Sequence, residues 1–505
     1  MGLSFVNAGL AVQPNTNMGL YIKYVKSDKF EVISEDCRHC HLRCPDREIY
    51  ISINGMREYA NPMAMGFDEY VDLNAFSEKY RQDFVDKYMI NFVDCQTPET
   101  RIERKFGNGS TIFCDSGGFQ IAMGRTTVIN PIELIKFYNK NVDLGMVLDI
   151  PDYNDGNPFP DEFIEDLAII QKRNTDYMLK YKEGNCELIN IIHGSTPKQK
   201  LDYLEKVHDD RIDRLAIPSV GIAMTVPRLD LIIELCKKAK ELGHYKHLHV
   251  LGTFNKGVIL TLAKLANSKI KEVEGIDFTT DASSALQNSV NLTYEKNISI
   301  WRGLDEFSIL DKERFIKIDH CKSLYKGGLG KFNEYAELPC NCPVCQKIKY
   351  SYVLRNIRGG YMRNLVFLNH NMKECSNYVY MVDKFAKNLG WKEYLNFVKS
   401  LQDSDSTDTV TCIKYLECVE KKGLEAARES FKRYLTPSAH IPFGSFNKVE
   451  EHHPLSDFIL DIIKQYKEID FENYNEKIKV GRGVRSATTM KEGLQYNDWH
   501  YYKNN

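Results

Sequence analysis

TIFCDSGGFQIAMGRTTVINPIELIKFYNKNVDLGMVLD, residues 111–149, spells a strand, a helix and a second strand in order. Thr111 to Cys114 is a short β-rich apolar run that stops at Asp115. Asn130-Pro131 then offers an N-cap and a first-turn proline for a helix through Phe137 and Tyr138. Met146-Val147-Leu148 is the next apolar run, and it stops at Asp149. A long helix follows from about Pro160 to Lys182, with Phe163, Leu167, Ile170 and Tyr177 recurring on one face. The alternation continues through strands at Leu188 to Ile192, Arg214 to Ile217, His247 to Leu251 and Gly275 to Thr280. Helices from Thr196, from about Val226 to Leu242, and from Lys256 separate them. With an earlier strand at about Glu48 to Ile53, the chain has nearly enough for eight βα units. The expected fold is α/β, a TIM-type (β/α)8 barrel, which fits better than an open doubly wound sheet. Barrel enzymes carry their chemistry at the C-terminal ends of the strands, and Asp115, Asp149, His193, Ser219 and Asp281 all fall there.

At 505 residues the chain exceeds one ordinary domain. Its 43% hydrophobic and 27% charged composition is that of a soluble globular protein, neither disordered nor membrane-embedded. The 67 basic and 69 acidic residues nearly cancel, so a nucleic-acid partner would have to be met by local patches. Met1 to Val6 has no basic region ahead of an apolar stretch, and no apolar run nears the roughly 18 residues of a membrane span, so a cytoplasmic location and no membrane partner are expected. Fourteen cysteines without a secretory signal read as thiols and metal ligands. The expected organisation is an N-terminal segment with a cysteine cluster over 1–47, the barrel over 48–320, a zinc-binding subdomain over 321–380, and a mostly helical C-terminal appendage over 381–505.

Cys114-Asp115-Ser116-Gly117-Gly118-Phe119-Gln120 is the most specific short segment. Two glycines after a strand let backbone approach a flat ligand, an aromatic ring can stack on it, and Asp and Gln can bond its edge. A tight turn capped by an aspartate uses the same residues. Asp-Ser-Gly-Gly-Phe-Gln closely resembles the signature of the tRNA-guanine transglycosylase superfamily, whose members are barrels that exchange guanine for a 7-deazaguanine without breaking the polynucleotide. The resemblance covers roughly residues 50 to 380. It implies that Asp115 contacts the base and assists proton transfer, that Phe119 stacks on it, and that Ser116 and Gln120 line the same pocket.

The family's nucleophile is a second carboxylate in a Gly-(Val/Ile)-Asp-Met-Phe-Asp type segment. Gly275-Ile276-Asp277-Phe278-Thr279-Thr280-Asp281-Ala282 is similar to it, with Asp281 the best match after one extra residue and Asp277 the weaker one. Displacing a base at C1′ passes through an oxocarbenium-like centre, so a carboxylate that captures C1′ splits one hard step into two with overall retention. A second carboxylate, beside the base, lets guanine leave protonated and lets the incoming base lose its proton. Asp149 matches the family's third acid, which recognises the purine N1 and exocyclic amine. Two departures alter the pocket: Ile192-His193-Gly194 stands for the family's Val-Gln-Gly, so His193 is expected to contact the base in place of an amide, and Pro218-Ser219-Val220 stands for Gly-Gly-Leu.

Cys340-Asn-Cys342-Pro-Val-Cys345 with the later His370 offers three thiolates and an imidazole, a set that closes a tetrahedral zinc site and makes it structural. Its spacing also resembles the family's zinc subdomain. Cys37, Cys40 and Cys44, with His39 and His41 between them, read either as a second metal site or as free thiols.

The polymer is not named by these motifs. Leu286-Gln287-Asn288-Ser289 has no arginine where bacterial tRNA enzymes place basic residues, and the C-terminal helices match no archaeal RNA-binding domain. The branch that inserts 7-deazaguanines such as preQ0 into DNA is therefore favoured over tRNA enzymes of queuosine or archaeosine type. Lys322, Lys326 and Lys331, and Lys477, Lys479, Arg482, Arg485 and Lys491, are candidate backbone contacts, although basic stretches of this kind are commonly only solvated. Heteromeric members of the superfamily leave two further expectations open: a homo- or hetero-oligomer, and a non-catalytic nucleic-acid-binding partner subunit. A hydrolase that leaves an abasic site would use the same two acids.

Overall fold

The structure is a computed structural model, and it describes residues 2–8, 50–53, 56–59, 87–93, 111–122, 126, 128–152, 160–218, 224–243, 245–282, 375–376, 378–401, 407–435, 454–474 and 476. Eight parallel strands close into a barrel in the order β1-β10-β9-β8-β7-β6-β5-β4. They are β1 (Leu3–Asn7), β4 (Lys87–Asn91), β5 (Thr111–Asp115), β6 (Leu144–Met146), β7 (Glu187–Ile191), β8 (Arg214–Pro218), β9 (His247–Leu251) and β10 (Asp277–Ala282). The fold is thus the expected TIM-type α/β barrel, with helices around it.

One expected barrel strand is corrected. Tyr50–Ile53 is β2 of an antiparallel hairpin with β3 (Met56–Tyr59), a two-stranded sheet separate from the barrel. The intervening Asn54-Gly55 is the dipeptide that favours a two-residue hairpin turn, and it signals this pairing in the sequence. The missing barrel strands are β1 and β4. β1 lies within the stretch assigned to an N-terminal segment, and it closes the barrel by pairing with both β10 and β4. The closure of the sheet explains the burial of β1 and β4.

Local chemistry accounts for the other elements. Asn130 accepts from Ile132 N at 2.9 Å and Pro131 opens the helix Pro131–Asn141, as expected. A reciprocal capping box of Thr196 and Gln199 starts the helix Pro197–Val207, and Asn255 caps Lys256–Ala266. Val226–Leu242 matches its expected span, and the long helix runs over Asp161–Lys180. No helix among the described residues is long and apolar enough to cross a membrane.

Alternation along the strands divides the core in two. Val6, Met89, Phe113, Met146, Ile189, Ile191 and Ala216 fill the barrel interior. Alternate residues such as Phe5, Ile112, Leu188, Leu215 and Phe278 pack outward under the helices. The C-terminal helices Trp391–Leu401, Thr407–Lys422 and Pro454–Glu468 join this outer core. Tyr394 donates to Leu260 O at 2.7 Å, Lys264 Nζ reaches Ala386 O and Leu389 O at 2.9 and 2.8 Å, and Tyr466 bonds both the N–H and the carbonyl of Ile129. Tyr394, Tyr415 and Tyr466 are fully buried there, each contributing ~1.5–3 kcal/mol on the scale of a large apolar side chain. Among the described residues, Thr407–Lys422 and Pro454–Glu468 pack directly against the barrel helices.

Candidate active site

Register fixes which residues share the barrel interior. Val6 pairs with Asp281, Met89 with Phe113, Asn91 with Asp115, and Ala216 with His249. Because Val6, Met89, Phe113 and Ala216 face inward, period-two alternation puts Asn91, Asp115, Thr279, Asp281, His247 and His249 on the same face. Asp115 ends β5 and Asp281 is the penultimate residue of β10, so both stand at the C-terminal mouth, separated in the sheet by β1 and β4.

The turn after β5 is built by contact. Gly117 has φ +94°, and a Cβ there would lie 2.6 Å from Val93 Cγ2 and 2.8 Å from Ile129 Cδ1. A Cβ on Gly118 would lie 2.6 Å from the Asp149 carbonyl oxygen and 2.7 Å from its Oδ1, so the second glycine lets two strand ends abut. Asp115 accepts from Asn91 Nδ2 at 2.7 Å and from Gly117 N at 3.2 Å. Burial and the nearby charges of Asp149 and, less strongly, Asp281 push its carboxyl up to about 7, against the lowering effect of those two donors.

Asp149 sits in a closed network. Ser116 donates to its Oδ1 at 2.6 Å while accepting from Gly118 N at 3.2 Å. His193 Nε2 lies 2.9 Å from Asp149 Oδ2, and His193 Nδ1 lies 3.1 Å from Asp152 Oδ1. Asp152 also accepts from Gly194 N at 2.9 Å. Burial alone would lower the His193 imidazole, but hydrogen bonds to the two carboxylates outweigh it and push the ring up to about 9. Burial likewise works against the Asp152 carboxylate, yet His193 and the buried Lys200 hold it below its ordinary value. His193 and Ser116 are fully buried, and their polar atoms are spent on Asp149 and Asp152; as placed, they orient the acid and do not themselves offer a free edge.

Asp281 is held from below. Its Oδ1 lies 3.0 Å from His249 Nε2 and accepts from Gly252 N at 2.7 Å. His249 Nδ1 lies 2.6 Å from Thr279 Oγ1, which lies 2.8 Å from His247 Nε2. Asp277 is the first residue of β10, four residues and ~13 Å from Asp281 at the strand rise, and it is exposed at the N-terminal end of the barrel. Placement thus separates the two candidate nucleophiles.

Phe119 is 51% exposed beside Asp115, an uncommon setting for a large aromatic. The neighbouring Gln120 has a buried Oε1 with no hydrogen-bond partner among the described residues. Ser219, the zinc set Cys340, Cys342, Cys345 and His370, the cluster Cys37, Cys40 and Cys44, and the basic residues 322–331 and 477–491 lie outside the described residues. Among the described residues no group of three or more His, Cys, Asp or Glu could hold a metal ion.

Sequence reasoning missed Asn91, Asp152, Lys200, His249 and Thr279. His247-x-His249 and Thr279-x-Asp281 carried a usable signal, since polar residues two apart within a strand share one face of it. Neither protein-family models nor curated proteins give a match to this chain.

Proposed function

We propose that the protein is a base-exchange transglycosylase that replaces guanine in a nucleic acid, DNA in preference to tRNA, with a 7-deazaguanine. Two carboxylates at one barrel mouth carry this proposal: Asp115, pushed up to about 7 by burial, by the charge of Asp149 and least by that of Asp281, and Asp281 itself, buried and gripped by two donors on one oxygen. An acid poised near neutrality can both give and take a proton. The unsatisfied Gln120 Oε1 and the exposed Phe119 suit the edge and face of a purine.

In the first half-reaction Asp281 attacks C1′ of the flipped-out nucleotide, the glycosidic bond breaks, its electron pair stays on the purine, and Asp115 supplies the proton that makes neutral guanine. In the second, the incoming 7-deazaguanine loses its N9 proton to Asp115, N9 attacks C1′ from the vacated side, and Asp281 is released. Two inversions give retention. Asp149, tied down by Ser116 and His193, offers its remaining lone pairs as acceptors for the purine N1–H and exocyclic amine. Cys340, Cys342, Cys345 and His370 would hold zinc as a structural ion, a role suited to three thiolates and one imidazole.

Incubation with labelled guanine-containing DNA and with tRNA, each with and without free 7-deazaguanine, tests this directly. Exchange of label in DNA with intact strands is expected. Abasic sites would identify a hydrolase, exchange in tRNA alone would move the substrate, and binding without either reaction would identify a non-catalytic partner subunit.

A further inference from the structure

A buried polar column stands inside the barrel, against the apolar interior formed by Val6, Met89, Phe113 and Ala216. From the mouth downward it runs Asp281 Oδ1, His249 Nε2 at 3.0 Å, His249 Nδ1 to Thr279 Oγ1 at 2.6 Å, and Thr279 Oγ1 to His247 Nε2 at 2.8 Å. All four residues are at most 5% exposed, and His249 is wholly buried. Phe113 packs against both rings, at 5.7 and 6.4 Å between centroids. Ala216 and Val6, the register partners of His249 and Asp281, line the same interior. Four polar side chains in such a place cost stability unless every donor meets an acceptor, and apolar residues would fill the barrel at lower cost.

Thr279 has a single proton, so it can donate to only one of its two histidines. If it donates to His249 Nδ1, then His247 Nε2–H donates to Thr279, and His249 Nε2–H donates to Asp281. Every member is then neutral except the carboxylate. His247 Nδ1, which has no hydrogen-bond partner among the described residues, carries a lone pair and not an unpaired N–H. The opposite polarity would need either a buried imidazolium at His249 or a proton on Asp281 donated to His249 Nε2, and either would leave that orphan atom protonated. Burial, His249 and the Arg214 guanidinium hold His247 well below its ordinary value, which also disfavours added positive charge at the foot of the column.

We propose that His249 is a positioning residue for Asp281: held as its Nε2–H tautomer by Thr279 and His247, it pins Oδ1 together with the Gly252 N–H and presents Oδ2 as the attacking oxygen. This rests on Asp281 being the nucleophile. No hydrogen bond from the described residues reaches Oδ2, so the two oxygens of one carboxylate are divided between anchoring and reaction. A nucleophile free to rotate would lose near-attack geometry, at a cost of about a hundredfold in rate.

Nitrogen-15 NMR of histidine-labelled protein, assigned with His249→Gln and His247→Gln, reads the tautomers without any substrate. Protonated Nε2 and bare Nδ1 are expected in both rings; a doubly protonated His249, or a proton on its Nδ1 alone, overturns the proposal. Single-turnover trapping of the covalent adduct then reads positioning. His249→Phe is expected to slow trapping about a hundredfold with nucleic-acid affinity within about twofold, His249→Gln to recover most of the rate, and the isosteric Thr279→Val to lose about tenfold. Trapping at the wild-type rate in both His249→Phe and Thr279→Val sinks the positioning role while leaving the nucleophile intact. No adduct and no exchange in the wild-type protein would instead remove the nucleophile, and with it His249's task, even where the tautomers are as expected.

Discussion

The two sides of the barrel mouth hold their aspartates in opposite ways. At Asp149 both oxygens are taken by side chains, Ser116 on one and His193 on the other, and a second acid, Asp152, shares the histidine. At Asp281 both donors, His249 and the Gly252 N–H, converge on a single oxygen. A carboxylate fastened at both ends can read a ligand's donors without moving, whereas one fastened at a single oxygen keeps the other for bond formation. The difference lies in the partners and not in the acids, which is why composition and spacing alone do not separate the roles.

The comparison breaks most visibly at Asp281. Asp281→Asn keeps the size of the side chain and its contacts with His249 and Gly252, but removes the proposed nucleophile; exchange is expected to fall by roughly 10⁴-fold or more, with no covalent adduct on a denaturing gel. Zinc content should be unchanged, because the proposed ligands are 340–370. Retained adduct formation would move the nucleophile elsewhere.

On the Asp149 side the larger effect is on folding. His193→Phe leaves Asp149 and Asp152 buried without their shared cation, and a loss of ~3–5 kcal/mol is expected in denaturant unfolding. The pH dependence has a definite sign. His193 is raised from 6.5 to about 9 in the folded state, so its stabilisation is fully present below about pH 6.5 and is lost as pH rises through about 9. The wild-type melting temperature should therefore fall across that window more steeply than that of His193→Phe; equal slopes would mean that the ring is not charged in the native protein.

Asp115 lies between the two sides and reports on both. Its carboxyl is raised from 3.8 to about 7, so it favours stability below about pH 4 and that contribution is lost as pH rises through about 7. Asp149 raises it more than Asp281 does. Carbon-13 NMR of the Asp115 carboxyl should place the midpoint near 7 in the wild type, lower it in Asp281→Asn, and lower it further in Asp149→Asn, by on the order of one unit. The reverse order would show that Asp281 is the nearer charge in solution.

Much of this was legible in the sequence. Asp115 and Asp149 end apolar runs, and their strand-end positions follow from β-rich segments punctuated by helices with clear caps. β1 was not legible, because the strands that cover it, β10 and β4, come from distant parts of the chain, and β4 was not legible either. The different anchoring of the acids was hidden for a similar reason. The sequence points His193 towards a base contact, yet its bonds go to Asp149 and Asp152, and nothing in the sequence singles out Asp152. The column below Asp281 was readable in principle, since His247, His249, Thr279 and Asp281 alternate along neighbouring strands. Only register tells which face such a pair shares.

Asp277 gives the smallest expected effect and sharpens the comparison most finely. It has the same side chain as Asp281, the same strand and, by alternation, the same parity, and it differs in standing at the other end of the barrel. If an acid on β10 were enough, replacing either would impair exchange. Position should decide instead: the exposed Asp277 pairs in register with His247 at the foot of the column, ~13 Å from the mouth. Asp277→Ala is therefore expected to change stability by no more than about 0.5 kcal/mol and to leave the rate of adduct formation unchanged. A rate loss approaching that of Asp281→Asn would mean that the foot of the column communicates with its head, and would turn the histidine pair from an anchor into a path for charge.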